Sequence, residues 1–383
     1  MSEYSRQTGG GSNRRPNQEL RQRNTAKRKA ARRRRKMAIF VIELLILVAM
    51  VGVLYVVATK GGEGPKRVEL GTEPEKLEIA TEVQQQEETT MKGYWNIALF
   101  GVDANSEAEL VKGGHSDSTM IASINLDTGD IKLVSVYRDT YLNTGDDVYY
   151  KSNHAYHSGG GEQAVKMLNS NLDMNINDFV AINYQGVIDI VDGLGGIYID
   201  VDSEELKHIN NYQYSINEAQ GKDVHDYTPV TKTGYQKLNG LQATAYCRIR
   251  YKKGNDYARA ASQREVIKAI EEQAKLASFS TLEKVFEKAM NNVITTLKTE
   301  DLLPYLTKIN DFKIVSDDGF PQPDMRTNAK LGSKGDCIIP LDLESNVVWL
   351  HKYLFDDADY TVSETVKKYS RQIKADTENR LSK

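Results

Sequence analysis

Apolar residues fall into two patterns along the chain. From position 37 to 58 they run nearly unbroken, with Glu43 as the one charged residue. As a helix this stretch would reach roughly 33 Å, enough to cross a bilayer. From Tyr94 onward they come in short groups whose spacing switches between two residues and three to four. Residues 95–102 read as a strand. Residues 118–126 and 131–137 read as a hairpin about Asp127-Thr128-Gly129-Asp130, which favours a tight turn. Residues 162–171 carry Ala164, Val165 and Leu168 at helical spacing, 179–183 return as a strand, and 187–191 read as a short helix. The run Gly193-Leu194-Gly195-Gly196 interrupts the chain before a strand at 197–201. Residues 202–235, polar and rich in tyrosine, read as a surface excursion. A helical turn and then a strand are expected over 238–250, followed by a long helix over 258–276. Beyond Ser278 the spacing is mainly helical, with a strand at 337–340 and a helix at 345–354 capped by Asp342 or Ser345. Strands alternating with helices predict an α/β fold, an α-β-α sandwich with a central mixed sheet, preceded by one transmembrane helix.

Charge gives that span a direction. The first 36 residues hold 13 Lys and Arg against two acidic residues, ending in Arg32-Arg33-Arg34-Arg35-Lys36. After the span, Lys60, Lys66 and Arg67 are diluted by Glu63, Glu69, Glu73 and Glu75. The positive-inside rule puts the N-terminus in the cytoplasm and everything after Lys60 outside: a single-pass cell-membrane protein with an extracellular C-terminal domain. A cleavable signal peptide is the rival, with Val56-Val57-Ala58 as its cleavage site, but the apolar run is longer than such peptides use. The basic tract lacks aromatic interleaving and any DNA-reading motif, so contact with anionic lipid explains it and nucleic acid is set aside. Composition then divides the chain into a disordered basic tail (1–36), the span (37–58), an extracellular stalk (59–92), a core domain (93–276) and a mainly helical C-terminal extension packed on that core (277–383).

The formal charge of −3 conceals +11 in the first 36 residues and −14 in the rest. An acidic outer domain must hold any anion through a local arginine cluster. Such a cluster is available. Asp103 and Asp117 flank a glycine-rich turn, Arg138 follows in Ser135-Val136-Tyr137-Arg138-Asp139, and Arg248, Arg250, Asp256, Arg259, Gln263 and Arg264 come later. Carboxylates suit a hard divalent cation and guanidinium forks suit phosphate oxygens, so the set points to chemistry on a phosphorylated substrate. Surface ion pairs are the alternative for each residue alone. Two cysteines, Cys247 and Cys337, exclude a disulfide scaffold and a cysteine zinc site; they form either one bridge or two buried thiols. His154 and His157 have i, i+3 spacing, but neither they nor His208 has an acidic partner of zinc-site type nearby.

Residues 96–103, His115-Ser116-Asp117-Ser118-Thr119-Met120, residues 135–139, Asn153-His154-Ala155-Tyr156, residues 193–201 and residues 238–264 together resemble the LytR-CpsA-Psr family of cell-envelope proteins, in consistent order over 93–276. The resemblance implies a phosphotransferase that moves a glycopolymer of teichoic-acid or capsular type from a polyprenyl-pyrophosphate carrier to peptidoglycan. It implies Mg²⁺ or Mn²⁺ on Asp103 and Asp117. It implies a pyrophosphate held by Arg138, Arg248, Arg250, Arg259 and Gln263, an apolar cavity between sheet and helices for the prenyl tail, and Asp139 and Asp256 orienting arginines. Two positions depart from the family pattern, which has arginine at His115 and at Ser262. The competing functions are a phosphatase or pyrophosphatase acting on the same lipid, and a non-catalytic envelope protein that binds prenyl-linked glycans.

Overall fold

The computed structural model describes residues 66–71, 73–87, 89–250, 256–297 and 312–381. Its strands are β1 (Lys66–Arg67), β2 (Tyr94–Asp103), β3 (His115–Asn125), β4 (Asp130–Val136), β5 (Tyr141–Asn143), β6 (Tyr149–Lys151) and β7 (Asp178–Asn183), then β8 (Ile197–Val201), β9 (Gly234–Leu238), β10 (Val293–Thr295), β11 (Lys313–Phe320), β12 (Arg326–Lys330) and β13 (Asp336–Pro340). Its α-helices are α1 (Thr81–Glu87), α2 (Glu107–Val111), α3 (Asn153–Leu172), α4 (Tyr184–Gly193) and α5 (Ser203–Ala219), followed by α6 (Gly240–Arg248), α7 (Asp256–Leu276), α8 (Phe279–Ala289), α9 (Leu343–Phe355) and α10 (Glu364–Leu381).

Seven strands pair in the order β1-β10-β7-β2-β3-β4-β11. The expected hairpin joins β3 to β4 antiparallel, and β2 lies between antiparallel β3 and parallel β7, so the sheet is mixed. Both faces of β2 are apolar because helices cover both. Ala98, Phe100 and Val102 pack into one core with α3, α9 and α10. Ile97 packs into a second core with α4, α6 and α7. The α-β-α layering is as expected from the alternation of strands and helices.

Several elements differ from the sequence expectations. The helix expected at 162–171 begins at Asn153, but it is kinked at Gly160 (φ 68°, ψ −157°), where any Cβ would lie 2.3 Å from the Val111 carbonyl oxygen. Residues 202–235 contain α5, whose Asp202 and Glu205 form a reciprocal cap and whose Ile209, Gln213 and Ile216 make a buried stripe. Over 238–250 the expected order is reversed. The strand β9 ends at Leu238, and Asn239 caps the helix α6 through Gln242, which puts Arg248 on the last helical turn. Residues 277–383 are more than a helical extension, since β10 and β11 join the central sheet. Part of the expected stalk is folded as well: Leu77, Ile79, Val83 and Met91 are buried in the α3 core. Cys337 packs in that core and Cys247 against the other, and both are free thiols, so no bridge joins them. The basic tail, the span at 37–58 and residues 59–65 lie outside the described residues. Among the described residues no helix is long and apolar enough to cross a membrane.

Candidate active site

The centre of the site is a break in strand register. Gly101 pairs with Ser118 and Val102 with Ser116, which leaves Asp117 as the extra residue of a β-bulge. A bulge re-aims the side chain it carries. Here it turns Asp117, half-buried, into a cavity under the sheet. One position further along the ladder, Asp103 at the end of β2 lies opposite His115. Gly114 allows this close approach, since a Cβ there would meet the Asp103 carbonyl oxygen at 2.9 Å.

Asp117 has two partners. Arg138, just beyond β4, forms an ion pair with its Oδ1, and the Tyr184 hydroxyl donates to its Oδ2 at 3.0 Å. Partial desolvation, and then the charge of Asp117, raise the Asp103 carboxyl above its ordinary range despite Arg248 and Arg138 nearby. Two neighbouring carboxylates suit a divalent cation, and two protein ligands suffice for Mg²⁺ when phosphate and water complete its shell.

The cationic side of the site comes from α6 and α7. The Arg248 guanidinium stacks 4.6 Å above the Tyr184 ring, and its Nη1 is buried with no hydrogen-bond partner among the described residues. Arg259, 3% exposed, pairs with Asp256 one helical turn earlier at 2.7 Å. Arg250 is exposed at the cavity mouth, and Gln263 Nε2 lies 3.5 Å from the Asp117 carbonyl oxygen. Asp139 and Asp256 are hydrogen-bonded to each other. Burial and then that hydrogen bond push Asp256 up to about 6. Burial opposes ionisation of Asp139 too, but Asp256, Arg138 and Lys151 outweigh it and hold its carboxyl below the ordinary range. The pair thus takes up a proton as pH falls through about 6, and its members brace Arg138 and Arg259.

Behind these groups the cavity continues for about 460 Å³ with an apolar wall. Leu99, Met120, Val180 and Ile182 come from the sheet, Val187 and Ile190 from α4, and Ile267 and Ile270 from α7. Its charged end is Asp117 with Arg248, Arg250, Arg259 and Gln263. The structure therefore brings Asp103, Asp117, Arg138, Arg248, Arg250, Arg259 and Gln263 to one place. Sequence reasoning missed Tyr184, whose only signal was its position directly after the helix-capping Asn183.

The two departures have structural readings. Ser262 is 2% exposed and does not line the cavity. Arg264 points away from the cavity, with Nε 2.7 Å from Asp317 and Nη1 donating to Ser135 Oγ at 2.8 Å, so it fastens α7 to the sheet. His115 lies outside the cavity too, stacked on His157, with His154 beyond it. His208 is on α5, apart from them.

A carboxylate and arginine cluster at the end of an apolar cavity suits an amphiphile with an anionic, phosphate-like head. The LytR_cpsA_psr family pattern matches residues 66–329, and the chain belongs to that family. It is 32% identical over 222 residues to the polyisoprenyl-teichoic acid–peptidoglycan teichoic acid transferase TagU of Enterococcus faecalis, covering 57% of this chain and 67% of that protein. It is similar to the solved structure of gbs0355 from Streptococcus agalactiae, with TM-score 0.57, 28% identity and coverage of 73% and 92%. It also shares its fold with YwtF (TagT) bearing octaprenyl pyrophosphate lipid, at TM-score 0.50, 21% identity and coverage of 71% and 92%.

Proposed function

We propose that this protein is a membrane-anchored phosphotransferase. It moves a glycopolymer of teichoic-acid type from a polyprenyl-pyrophosphate carrier to peptidoglycan. The observation that carries this reading is the apolar cavity ending in Arg248, Arg250, Arg259 and Gln263 beside Asp117, because it matches both halves of such a donor. Its volume of about 460 Å³ falls among ligand sites of about 300–1,000 Å³. The prenyl tail lies along Leu99, Ile182 and Ile267, and the pyrophosphate meets the arginines. An acceptor hydroxyl oxygen bonds to the glycan-side phosphorus as the bridging P–O bond breaks. Polyprenyl phosphate leaves with that electron pair, and the hydroxyl proton passes to a site carboxylate or to water. Arg138, Arg248 and Arg259 are held before the reaction where negative charge collects, which lowers the barrier electrostatically. Asp103 and Asp117 would hold Mg²⁺ or Mn²⁺, which would neutralise pyrophosphate oxygens. The span at 37–58 anchors the enzyme with its N-terminus in the cytoplasm and this site outside, where lipid-linked donor and cell wall meet.

The test uses the full-length protein in detergent micelles with a polyprenyl-pyrophosphoryl glycan and Mg²⁺. Release of polyprenyl phosphate is followed with and without peptidoglycan oligosaccharides, with Asp117→Ala as control. Release that requires the acceptor and is lost in the variant supports the transferase. Acceptor-independent release makes the protein a hydrolase, and lipid binding without release makes it a binding protein.

A further inference from the structure

Two approaches lead to the carboxylates. The lipid-shaped cavity lies on the face packed by α4, α6 and α7, whereas α3 covers the other face. Beside the carboxylates, at the start of α3 and outside the cavity, four rings form a strip. Tyr150 lies 4.7 Å from His154, His154 lies 5.7 Å from His157, and His157 stacks on His115 at 4.3 Å with 17° between planes. His115 is opposite Asp103 in the β2–β3 ladder, so the strip starts beside the carboxylates and runs outward. His115 and His157 are exposed, and Tyr150 and His154 are half-buried.

The ring edges are set by the backbone. His157 Nδ1–H donates to the Gly113 carbonyl, which fixes the orientation of the ring. Desolvation, and then the neighbouring His157, hold His154 below its ordinary value, which favours its neutral ring. The strip does not form a metal cage, because the rings meet face to face and no three His, Cys, Asp or Glu side chains converge among the described residues. Flat rings with hydrogen-bonding edges complement sugar rings, which present C–H faces and hydroxyl rims.

We propose that Tyr150, His154, His157 and His115 form the subsite for the acceptor glycan, a chain of N-acetylated amino sugars. The proposal rests on the transferase reading and adds a direction to it. In an in-line displacement the entering oxygen and the leaving group lie on opposite sides of the phosphorus. Polyprenyl phosphate leaves toward the cavity, and the strip, which starts beside the carboxylates and outside the cavity, delivers the acceptor hydroxyl from the other side of the phosphorus.

The probe is a tetrasaccharide of alternating N-acetylglucosamine and N-acetylmuramic acid, offered to full-length protein in detergent micelles. His157→Ala, His154→Ala and Tyr150→Ala are compared with His157→Phe by two readouts. These are saturation-transfer NMR of the tetrasaccharide without donor, and the split of KM and kcat for acceptor-dependent release of polyprenyl phosphate. The alanine variants lose the NMR signal and raise acceptor KM about tenfold, while donor KM stays within about twofold and His157→Phe keeps most of the binding. Alanine variants with wild-type acceptor KM and NMR signal overturn the subsite, as does a joint loss of donor and acceptor affinity. A wild-type protein that binds the tetrasaccharide through these rings yet releases no polyprenyl phosphate would remove the transferase reading and leave the glycan subsite in place.

Discussion

Replacing Tyr184 with phenylalanine removes one oxygen and keeps the ring, which separates two interactions at the heart of the site. Tyr184 opens α4 directly after Asn183, whose side chain accepts from the Gly186 N–H and fixes the start of the helix. Its hydroxyl donates to Asp117 Oδ2 at 3.0 Å, and its ring lies 4.6 Å from the Arg248 guanidinium. Burial, and then the charge of Asp117, push the phenol well above its ordinary value, so the hydroxyl remains a donor at any working pH. A hydrogen bond to a charged acceptor contributes about 1.5–3 kcal/mol, so Tyr184→Phe should lower kcat/KM roughly tenfold to a hundredfold. Because Asp117 is the proposed metal ligand, the Mg²⁺ concentration for half-maximal rate should rise about tenfold as well. Tyr184→Leu also loses the cation–ring contact, about 0.5–2 kcal/mol more, and should be slower than the phenylalanine variant. The assay is the initial rate of polyprenyl phosphate release across a Mg²⁺ series, with thermal melts to confirm that each variant is folded. A phenylalanine variant with wild-type rate and wild-type Mg²⁺ requirement refutes the clamp.

Three further outcomes follow from the same geometry. Glu271, fully buried on α7, has its carboxyl pushed up to about 9 by burial, with Lys275 Nζ 3.2 Å away. The native state then keeps a proton that the unfolded chain has released, so this contribution is full at low pH and is lost as pH rises toward about 9. Glu271→Gln should match wild type in thermal melts at acidic pH and melt several degrees higher in mild alkali; a pH-independent difference refutes this. Asp256, pushed up to about 6, pairs with Arg259 when ionised, so wild-type kcat/KM should fall as pH drops through about 6. That inflection should vanish in Asp256→Asn, and its persistence would assign it to another group. Ile267→Trp fills the apolar cavity and should raise donor KM roughly tenfold or more by steric exclusion, with little change in melting temperature.

The charged half of the site was legible because its residues sit at strand and helix ends, where periodicity breaks and charge stands out. Asp103 ends β2, Arg138 follows β4, Arg248 ends α6, and Arg259 and Gln263 share one face of α7. What resisted reading depended on context. The stripe of α5 is carried by few apolar residues among many polar ones, and Gln213 occupies a fully buried place in it. The inversion over 238–250 turned on the Asn239–Gln242 cap, a four-residue signal outweighed by the apolar run that follows. The strands β10 and β11 are assigned by partners far away in sequence, Val293–Thr295 against β7 and Lys313–Phe320 against β4. Neither shows clean alternation over its own length, because long-range pairing supplies what local pattern lacks.

The bulge at Asp117 belongs to the same class of hidden feature, and it explains why carboxylate and cavity occur together. A regular β3 would continue the pairing past Ser118 without the extra residue and keep residues 116–118 in strict alternation. As the inserted residue, Asp117 is aimed toward the face where Leu99, Val180 and Ile182 are only partly covered by their own helices. Apolar atoms that line a space of about 460 Å³ forgo the contacts and hydrophobic stabilisation that the close-packed residues around them enjoy. A sheet built for stability alone would close that gap. Held open beside a carboxylate and three arginines, it favours a ligand whose tail restores the missing burial and whose head satisfies the buried Arg248 Nη1.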